Sequence, residues 1–292
     1  MTRAHHRTGT YARAAAVLGA AALAAGAAAA PAAAAPAHGG ARYVALGDSY
    51  TSGPGIPPQT DTNCARSGVN YPSLVAKGMK TTSFKDVSCS GAKTDEMWRA
   101  QGTNAPQLDA LGRGTRLVTV GIGGNDIGFG DIIGTCARLS AGDPAGAPCR
   151  DRYTQDGTDL LTARIDAAAP RIAAVLKAVH QRAPHAEIAL VGYPAIMPDS
   201  GSGCFPAVPI AAGDVPYLRE TEKRLNAMLR EQARTAHVRY ADTYTPTTGH
   251  DVCAPAADRW IEGVEPASPA APFHPNANGE AAMARSVLRA LR

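Results

Sequence analysis

The sequence predicts a three-layer α/β/α domain built on a parallel sheet, and three observations carry that reading. Short apolar runs recur as continuous blocks and not as alternating patterns, which is how strands covered on both faces read. Stretches with apolar residues at three- and four-residue spacing lie between them, the mark of helices with one buried side. Strand and helix alternate along the chain, which calls for right-handed crossovers and a parallel sheet.

Taken in order, the chain opens with a segment outside this pattern. Arg3, Arg7 and Arg13 precede an unbroken run of Ala, Val, Leu and Gly from Ala14 to Ala30, and Ala-rich cleavage options follow at Ala30 and Ala35. That is the order of a secretory signal peptide, expected over residues 1–35. The run is too short and too weakly apolar to span a bilayer comfortably, so no stable membrane anchor is expected. It carries no twin-arginine pair, which points to the general secretion route and an extracellular location. Residues 36–292 are then expected to form a single domain of about 255 residues, a length that supports a large core.

The first strand is "RYVALG" at 42–47, and a weaker one is "SFKDVSCSG" at 83–91. "RLVTVGIGG" at 116–124, "AEIALVGYP" at 186–194 and "HVRYADT" at 237–243 complete the set. Leu160 to Ala183 places Leu161, Ile165, Ile172, Val175, Leu176 and Val179 on one helical face, with Pro170 either kinking the helix or starting a second one. Pro216 to Thr235 repeats the pattern with Leu218, Leu225, Met228 and Leu229, and Gly279 to Leu291 closes the chain as a helix. The connections at 52–68, 134–158, 194–215 and 244–272 are long and rich in Pro and Gly; such loops in a compact domain are usually functional or stapled. The chain has no internal repeat.

Six cysteines, Cys64, Cys89, Cys136, Cys149, Cys204 and Cys253, all follow the leader. An even count in an exported chain reads as disulfides; six allow fifteen pairings, and spacing does not choose among them. The sequential set, Cys64–Cys89, Cys136–Cys149 and Cys204–Cys253, is the expectation. No C-x-x-C occurs, which disfavours metal or redox use of these thiols. The formal charge of +4 includes the leader's three arginines, so the mature chain is near neutral and offers no electrostatic case for nucleic acid.

Ligands of open parallel sheets bind beyond the carboxyl ends of the strands. Gly47-Asp48-Ser49, Ser90-Gly91-Ala92 and Gly123-Gly124-Asn125-Asp126 follow three successive runs, bringing a hydroxyl, a flexible amide and a carboxamide to one rim. Attack of a serine on an ester carbonyl places negative charge on oxygen, and donors aimed there lower the barrier by several kcal/mol. The amides of Ser49 and Gly91 and the side chain of Asn125 are the candidates. The base must be a histidine on the same rim. Of eight, His5, His6 and His38 lie in or near the leader, and His180, His185 and His237 fall in a helix, a turn and a strand start. His274, in "PFHPNANGE" just before the last helix, is the first choice and His250, in "GHDVC", the second.

These four motifs in order, "GDSY" at 47–50, "SGA" at 90–92, "GGND" at 123–126 and "HPN" at 274–276, resemble those of the SGNH hydrolases, the GDSL-type esterases and lipases. The likeness covers essentially the whole mature chain and is strongest to the secreted actinomycete members, which share the leader, the six cysteines and phrases such as "LVGYP" and "AAGDVPYL". The resemblance implies a flavodoxin-like fold with five parallel strands. It further implies Ser49 as nucleophile, Ser49, Gly91 and Asn125 as the oxyanion hole, His274 as general base and acid, and no cofactor. Many members carry an Asp three residues before the histidine. Ala271 stands there in this chain, and some actinomycete relatives use a main-chain carbonyl at that place, which makes the carbonyl of Ala271 the matching His-orienting group. Glu265, Asp258 and Glu262 are the acidic alternatives.

Asp48 and Asp126 read more readily as carboxylates that hold nearby backbone, and Trp98 and Trp260 as packing residues. His250-Asp251 lacks any ligand spacing such as H-E-x-x-H, so no metal is expected. The rim loops carry Ile56, Pro57, Ile127, Phe129, Ile132, Ile196, Met197, Phe205, Val208 and Ile210, a lining that suits an acyl chain. The reading is a secreted monomeric lipase or esterase acting on medium-to-long acyl esters. Carbohydrate deacetylation, acyl transfer and a non-catalytic lipid- or surface-binding domain are the other possibilities.

Overall fold

The computed structural model describes residues 42–292; the expected leader lies outside the described residues. Five strands, Tyr43–Gly47 (β1), Phe84–Asp86 (β2), Leu117–Gly121 (β3), Glu187–Val191 (β4) and Arg239–Ala241 (β5), form one parallel sheet. Their order is β2-β1-β3-β4-β5, the flavodoxin-like arrangement. Every residue of β1 and β3 is buried, because both faces of the sheet are covered. This is why their sequences are unbroken apolar runs.

Among the described residues seven α-helices accompany the sheet: Ser49–Ser52 (α1), Tyr71–Gly78 (α2), Phe129–Ser140 (α3), Pro148–Tyr153 (α4), Leu160–Arg182 (α5), Asp214–Thr235 (α6) and Ala277–Ala290 (α7). Helix α2 packs on α7, and α5 on α6. The six apolar residues named for the α5 face, from Leu161 to Val179, are all at or below 1% exposure. Each such burial contributes roughly 1.5–3 kcal/mol. Pro170 neither ends α5 nor starts a second helix, for the helix is continuous across it. Pro170 is solvent-exposed, so the carbonyl that loses its partner one turn back can be hydrated.

Two helices, α3 and α4, fall largely in the segment expected as a loop at 134–158, and Cys136 and Cys149 join them. The other bridges are Cys64–Cys89 and Cys204–Cys253, so the sequential pairing is the one present. The strands are shorter than their apolar runs. β3 stops at Gly121, and Ile122 to Gly124 leave the sheet toward the rim.

Register places the chemistry. Tyr43 pairs with Leu117 and so on to Gly47 with Gly121, so β1 and β3 end side by side. Strand order reverses at this pair, and a crevice opens there beyond the carboxyl ends. The segments carrying Ser49 and Asn125 leave the sheet on its two sides.

Candidate active site

Ser49 opens the single-turn helix α1, which begins as soon as β1 ends. A side chain at Gly47 would come within 2.6 Å of the carbonyl oxygen of Gly121 and of Thr51 Cβ, so the sharp exit from the strand needs glycine there. The side-chain amide of Gln107 fixes Gly47 from both sides, accepting from its N–H at 2.7 Å and donating to its carbonyl at 2.9 Å. Asp48 caps α1 by accepting the Tyr50 N–H at 2.9 Å, and Gly53 closes it in the left-handed conformation at φ 71°. Cap and candidate nucleophile are therefore neighbours, Asp48 and Ser49.

Ser49 Oγ lies 2.8 Å from His274 Nε2. The other ring nitrogen, Nδ1, lies 2.7 Å from the carbonyl oxygen of Pro272. An N–H at Nδ1 donating to that carbonyl leaves Nε2 as the acceptor facing the hydroxyl. The expected orienting group was the carbonyl of Ala271, and this is corrected to Pro272. The Ala271 carbonyl is occupied in closing the turn, where it accepts the His274 N–H at 3.2 Å, and the next carbonyl is the one turned toward the ring.

None of the acidic alternatives hydrogen-bonds the imidazole. Glu262 is fully buried and accepts from Asn276 Nδ2 at 2.7 Å and from the Ala267 N–H at 2.8 Å, which ties the histidine loop together from behind. Asp258 and Glu265 are exposed. His250, the second choice for the base, stacks on Trp260 at 3.5 Å and points Nδ1 at the carbonyl of Asp258.

Tyr50 holds the other side of the imidazole. Its ring stacks on His274 at 4.8 Å, and its hydroxyl donates to the carbonyl of Phe273 at 2.6 Å. Phe273 has φ 60°, a left-handed conformation that costs a non-glycine residue energy and that this bond helps to retain. Loss of hydration pushes the His274 pKa below the usual histidine value, partly offset by the bond to Pro272. A lowered value favours the neutral ring needed to accept a proton near neutral pH.

The donor side is cross-linked. Asn125 donates one amide hydrogen to the carbonyl of Ala92 at 2.9 Å, leaving the second for a ligand. Asp126 accepts from the Thr94 N–H at 3.0 Å and from the Thr94 hydroxyl, joining the third motif to the second. Gly91 adopts φ 81°, and Gln101 Nε2 anchors the preceding carbonyl, that of Ser90, at 2.7 Å. The backbone amides of Ser49 and Gly91 have no hydrogen-bond partner among the described residues, as donors reserved for a ligand would not. Asp48 is buried against the hydroxyl of Tyr193 at 2.5 Å; burial pushes its pKa up to about 7, against the pull of that hydrogen bond.

A cavity of about 620 Å³, open mouth included, starts at Ser49 and Asn125. Ile127, Phe129, Ile132, Ile133, Ile196 and Met197 line it, together with Leu218 and Leu225 of α6. Five of the ten residues expected to line it do so. Ile56 and Ile210 are buried elsewhere, Pro57 and Phe205 are exposed, and Val208 belongs to a separate groove with Pro206, Pro209 and Val252. The contribution of α6 was missed: its periodicity announces a buried face without saying what that face meets. Glu222 also lines the cavity, its carboxyl accepting the Ile196 N–H at 3.2 Å. Its neighbour Lys223 is turned to Asp199 at 2.7 Å. Burial pushes the Glu222 pKa well above the ordinary carboxylate value.

A hydroxyl on an imidazole, amide donors beside it and an apolar cavity at the switch point of a flavodoxin-like sheet define a serine hydrolase of the three-layer α/β/α class. The chain belongs to the GDSL-like lipase/acylhydrolase family, whose model matches residues 45–282, and it is a carboxylic-ester hydrolase of the SGNH type. It is 42% identical over 259 residues to Lipase 2 of Streptomyces coelicolor, covering 85% of each chain. Among solved structures it resembles the extracellular lipase of Streptomyces rimosus, with a TM-score of 0.71 at 30% identity, over 85% of this chain and 98% of that one. Phospholipase A1 of Streptomyces albidoflavus NA297 gives a TM-score of 0.71 at 29% identity, over 87% of this chain and 98% of that one.

Proposed function

We propose that the protein is a secreted monomeric lipase or esterase that cleaves medium-to-long acyl esters through an acyl-enzyme on Ser49. The observation that carries the reading is the 2.8 Å contact between His274 Nε2 and Ser49 Oγ at the mouth of an apolar cavity. His274 takes the hydroxyl proton as Oγ attacks the ester carbonyl, and the amides of Ser49 and Gly91 with Asn125 Nδ2 receive the oxyanion. Collapse expels the alcohol, which leaves with the proton from His274. Water, activated by the same ring, then attacks the acyl-enzyme and frees the acid and Ser49. Each step uses groups of the chain itself, and none calls for a cofactor.

The aliphatic walls support an acyl chain as the occupant of the cavity, in preference to a sugar, which would be met by aromatic platforms. The relatives named lipase, extracellular lipase and phospholipase A1 support a lipid substrate. Three disulfides support an oxidising, extracellular setting. Among the described residues no helix is long and apolar enough to cross a membrane. The test is kcat/KM on p-nitrophenyl esters from acetate to palmitate, with Ser49→Ala as the blank. A maximum at medium or long chains is expected. A maximum at acetate refutes the acyl-chain assignment, and turnover that survives in Ser49→Ala refutes the nucleophile.

A further inference from the structure

We propose that Tyr193 is a positioning residue for ester hydrolysis, its hydroxyl fixing the place of Asn125 relative to Ser49. The inference rests on the roles proposed above for those two residues. Tyr193 follows the carboxyl end of β4 and is 4% exposed. Its hydroxyl donates to Asp48 Oδ2 at 2.5 Å and accepts the Gly124 N–H at 2.7 Å. Asp48 immediately precedes Ser49, and Gly124 immediately precedes Asn125. One oxygen atom thus spans the two loops that must meet on a single substrate carbonyl.

Tyr193 is itself held at every polar atom, backbone included. Asn226, on α6, accepts the Tyr193 N–H at 2.8 Å and donates to the Tyr193 carbonyl at 3.0 Å, so a single carboxamide grips the backbone from both sides. The ring meets Tyr50 edge-on at 5.1 Å. Asp48 alone would need only a donor, and that need does not explain the bond to Gly124. A Cβ at Gly124 would crowd the Tyr193 ring and hydroxyl at 3.1 Å, so the glycine before Asn125 eases the approach of the phenol to this amide. Asn125 is fixed on its far side by the Ala92 carbonyl at 2.9 Å. Tyr193 supplies the near side.

The consequence for the reaction is geometric. Oxyanion donors act at about 2.7–3.1 Å from the charge that develops, and a misplacement of about 1 Å can cost on the order of 100-fold in rate. Removing the Tyr193 oxygen frees the Asn125 loop from the Ser49 loop while leaving every reacting atom in the chain. It also leaves a buried carboxyl and a buried amide each short of a partner, so some loss of stability accompanies it. The experiment must separate the two effects.

Steady-state kinetics of Tyr193→Phe are compared with the parent on a matched pair of esters, one with a C=O and one with a C=S carbonyl. Sulfur is a poor hydrogen-bond acceptor, so the oxo/thiono ratio of kcat reads the oxyanion hole, and it does not depend on the fraction of enzyme folded. The expected result is a fall of roughly 10- to 100-fold in kcat on the oxoester, with KM changed by less than about 3-fold and a clearly smaller oxo/thiono ratio. A kcat within about 3-fold of the parent, or an equal loss on both esters, overturns the proposal. Ser49→Ala and Asn125→Ala are run beside it. If Ser49→Ala keeps turnover, or Asn125→Ala leaves the ratio unchanged, the underlying roles fall and this inference with them. If both behave as expected and Tyr193→Phe does not, this inference alone falls.

Discussion

Replacing Asp48 by asparagine is expected to make the protein progressively more stable than the parent as pH rises. Asp48 is 1% exposed, and it makes no ion pair with a Lys, Arg or His among the described residues. Burial raises its pKa from 3.8 to about 7 on folding. A gap of about three units corresponds to roughly 4 kcal/mol. Because the folded value is the higher one, the folded chain holds this proton more tightly. Its stabilising contribution is complete below the unfolded pKa and is lost as pH climbs through the folded one. Between about pH 4.5 and pH 8.5 the parent should lose about 3 kcal/mol from this source, and Asp48→Asn none of it. The altered bond to Tyr193 shifts the variant by an amount that does not depend on pH. The buried carboxyls of Asp86, Glu222 and Glu280, also raised by burial, act equally in both proteins. The assay is urea unfolding with the disulfides intact, repeated across that pH range, and read as the difference between the two proteins. A difference that stays constant with pH refutes the argument that this carboxyl is buried against its preferred charge state.

Other consequences follow from the same geometry. With acetate ester, kcat/KM should rise with pH through a midpoint below the ordinary histidine value of 6.5, because His274 is desolvated; a midpoint above it in a pH–rate profile contradicts that placement. Asp48 and Glu222 are the two carboxyls that line the cavity, and burial raises the pKa of both, so KM for long-chain esters should climb toward alkaline pH as they ionise while KM for acetate does not. Glu222→Gln should reduce that divergence and leave the part due to Asp48, and parallel KM profiles in the parent would falsify it. Asp258→Asn and Glu265→Gln should each retain activity within about 2-fold, since Pro272 orients the imidazole; a loss of about 10⁴-fold in kcat would restore a carboxylate triad. Leu225→Trp should fill part of the cavity that Leu225 lines and move the best substrate to shorter chains, with thermal unfolding run to check that the helix is still seated.

Much of the fold was legible because its signals are local. A buried parallel strand is a continuous apolar run, and β1, β3 and β4 were found on that ground. An amphipathic helix repeats at its own period, and α5 and α6 were found on that one. Helix α3 escaped because Gly130 and Gly134 interrupt its sequence, and α4 because a helix of 6 residues is too short to show a period. The candidate site was legible for a related reason: Ser49 opens α1, His274 precedes α7, and Gly91 and Asn125 lie on the loops that follow β2 and β3.

What the sequence determined by itself was the order of the five strands and of the helices α5, α6 and α7, the motifs at the strand ends and the chemistry those residues could perform. Tertiary structure alone decided which partners they found. That the Pro272 carbonyl and not that of Ala271 meets His274 depends on which way one turn rotates its peptide planes. That Leu218, Glu222 and Leu225 face the acyl cavity depends on how α6 is rotated against the sheet. That Tyr193 joins Asp48 to Gly124 depends on three chain segments, 145 and 69 residues apart in sequence, arriving within hydrogen-bond distance of one oxygen. Such contacts leave no periodic trace, because they are fixed by packing over the whole domain and not by the conformational preference of any one segment.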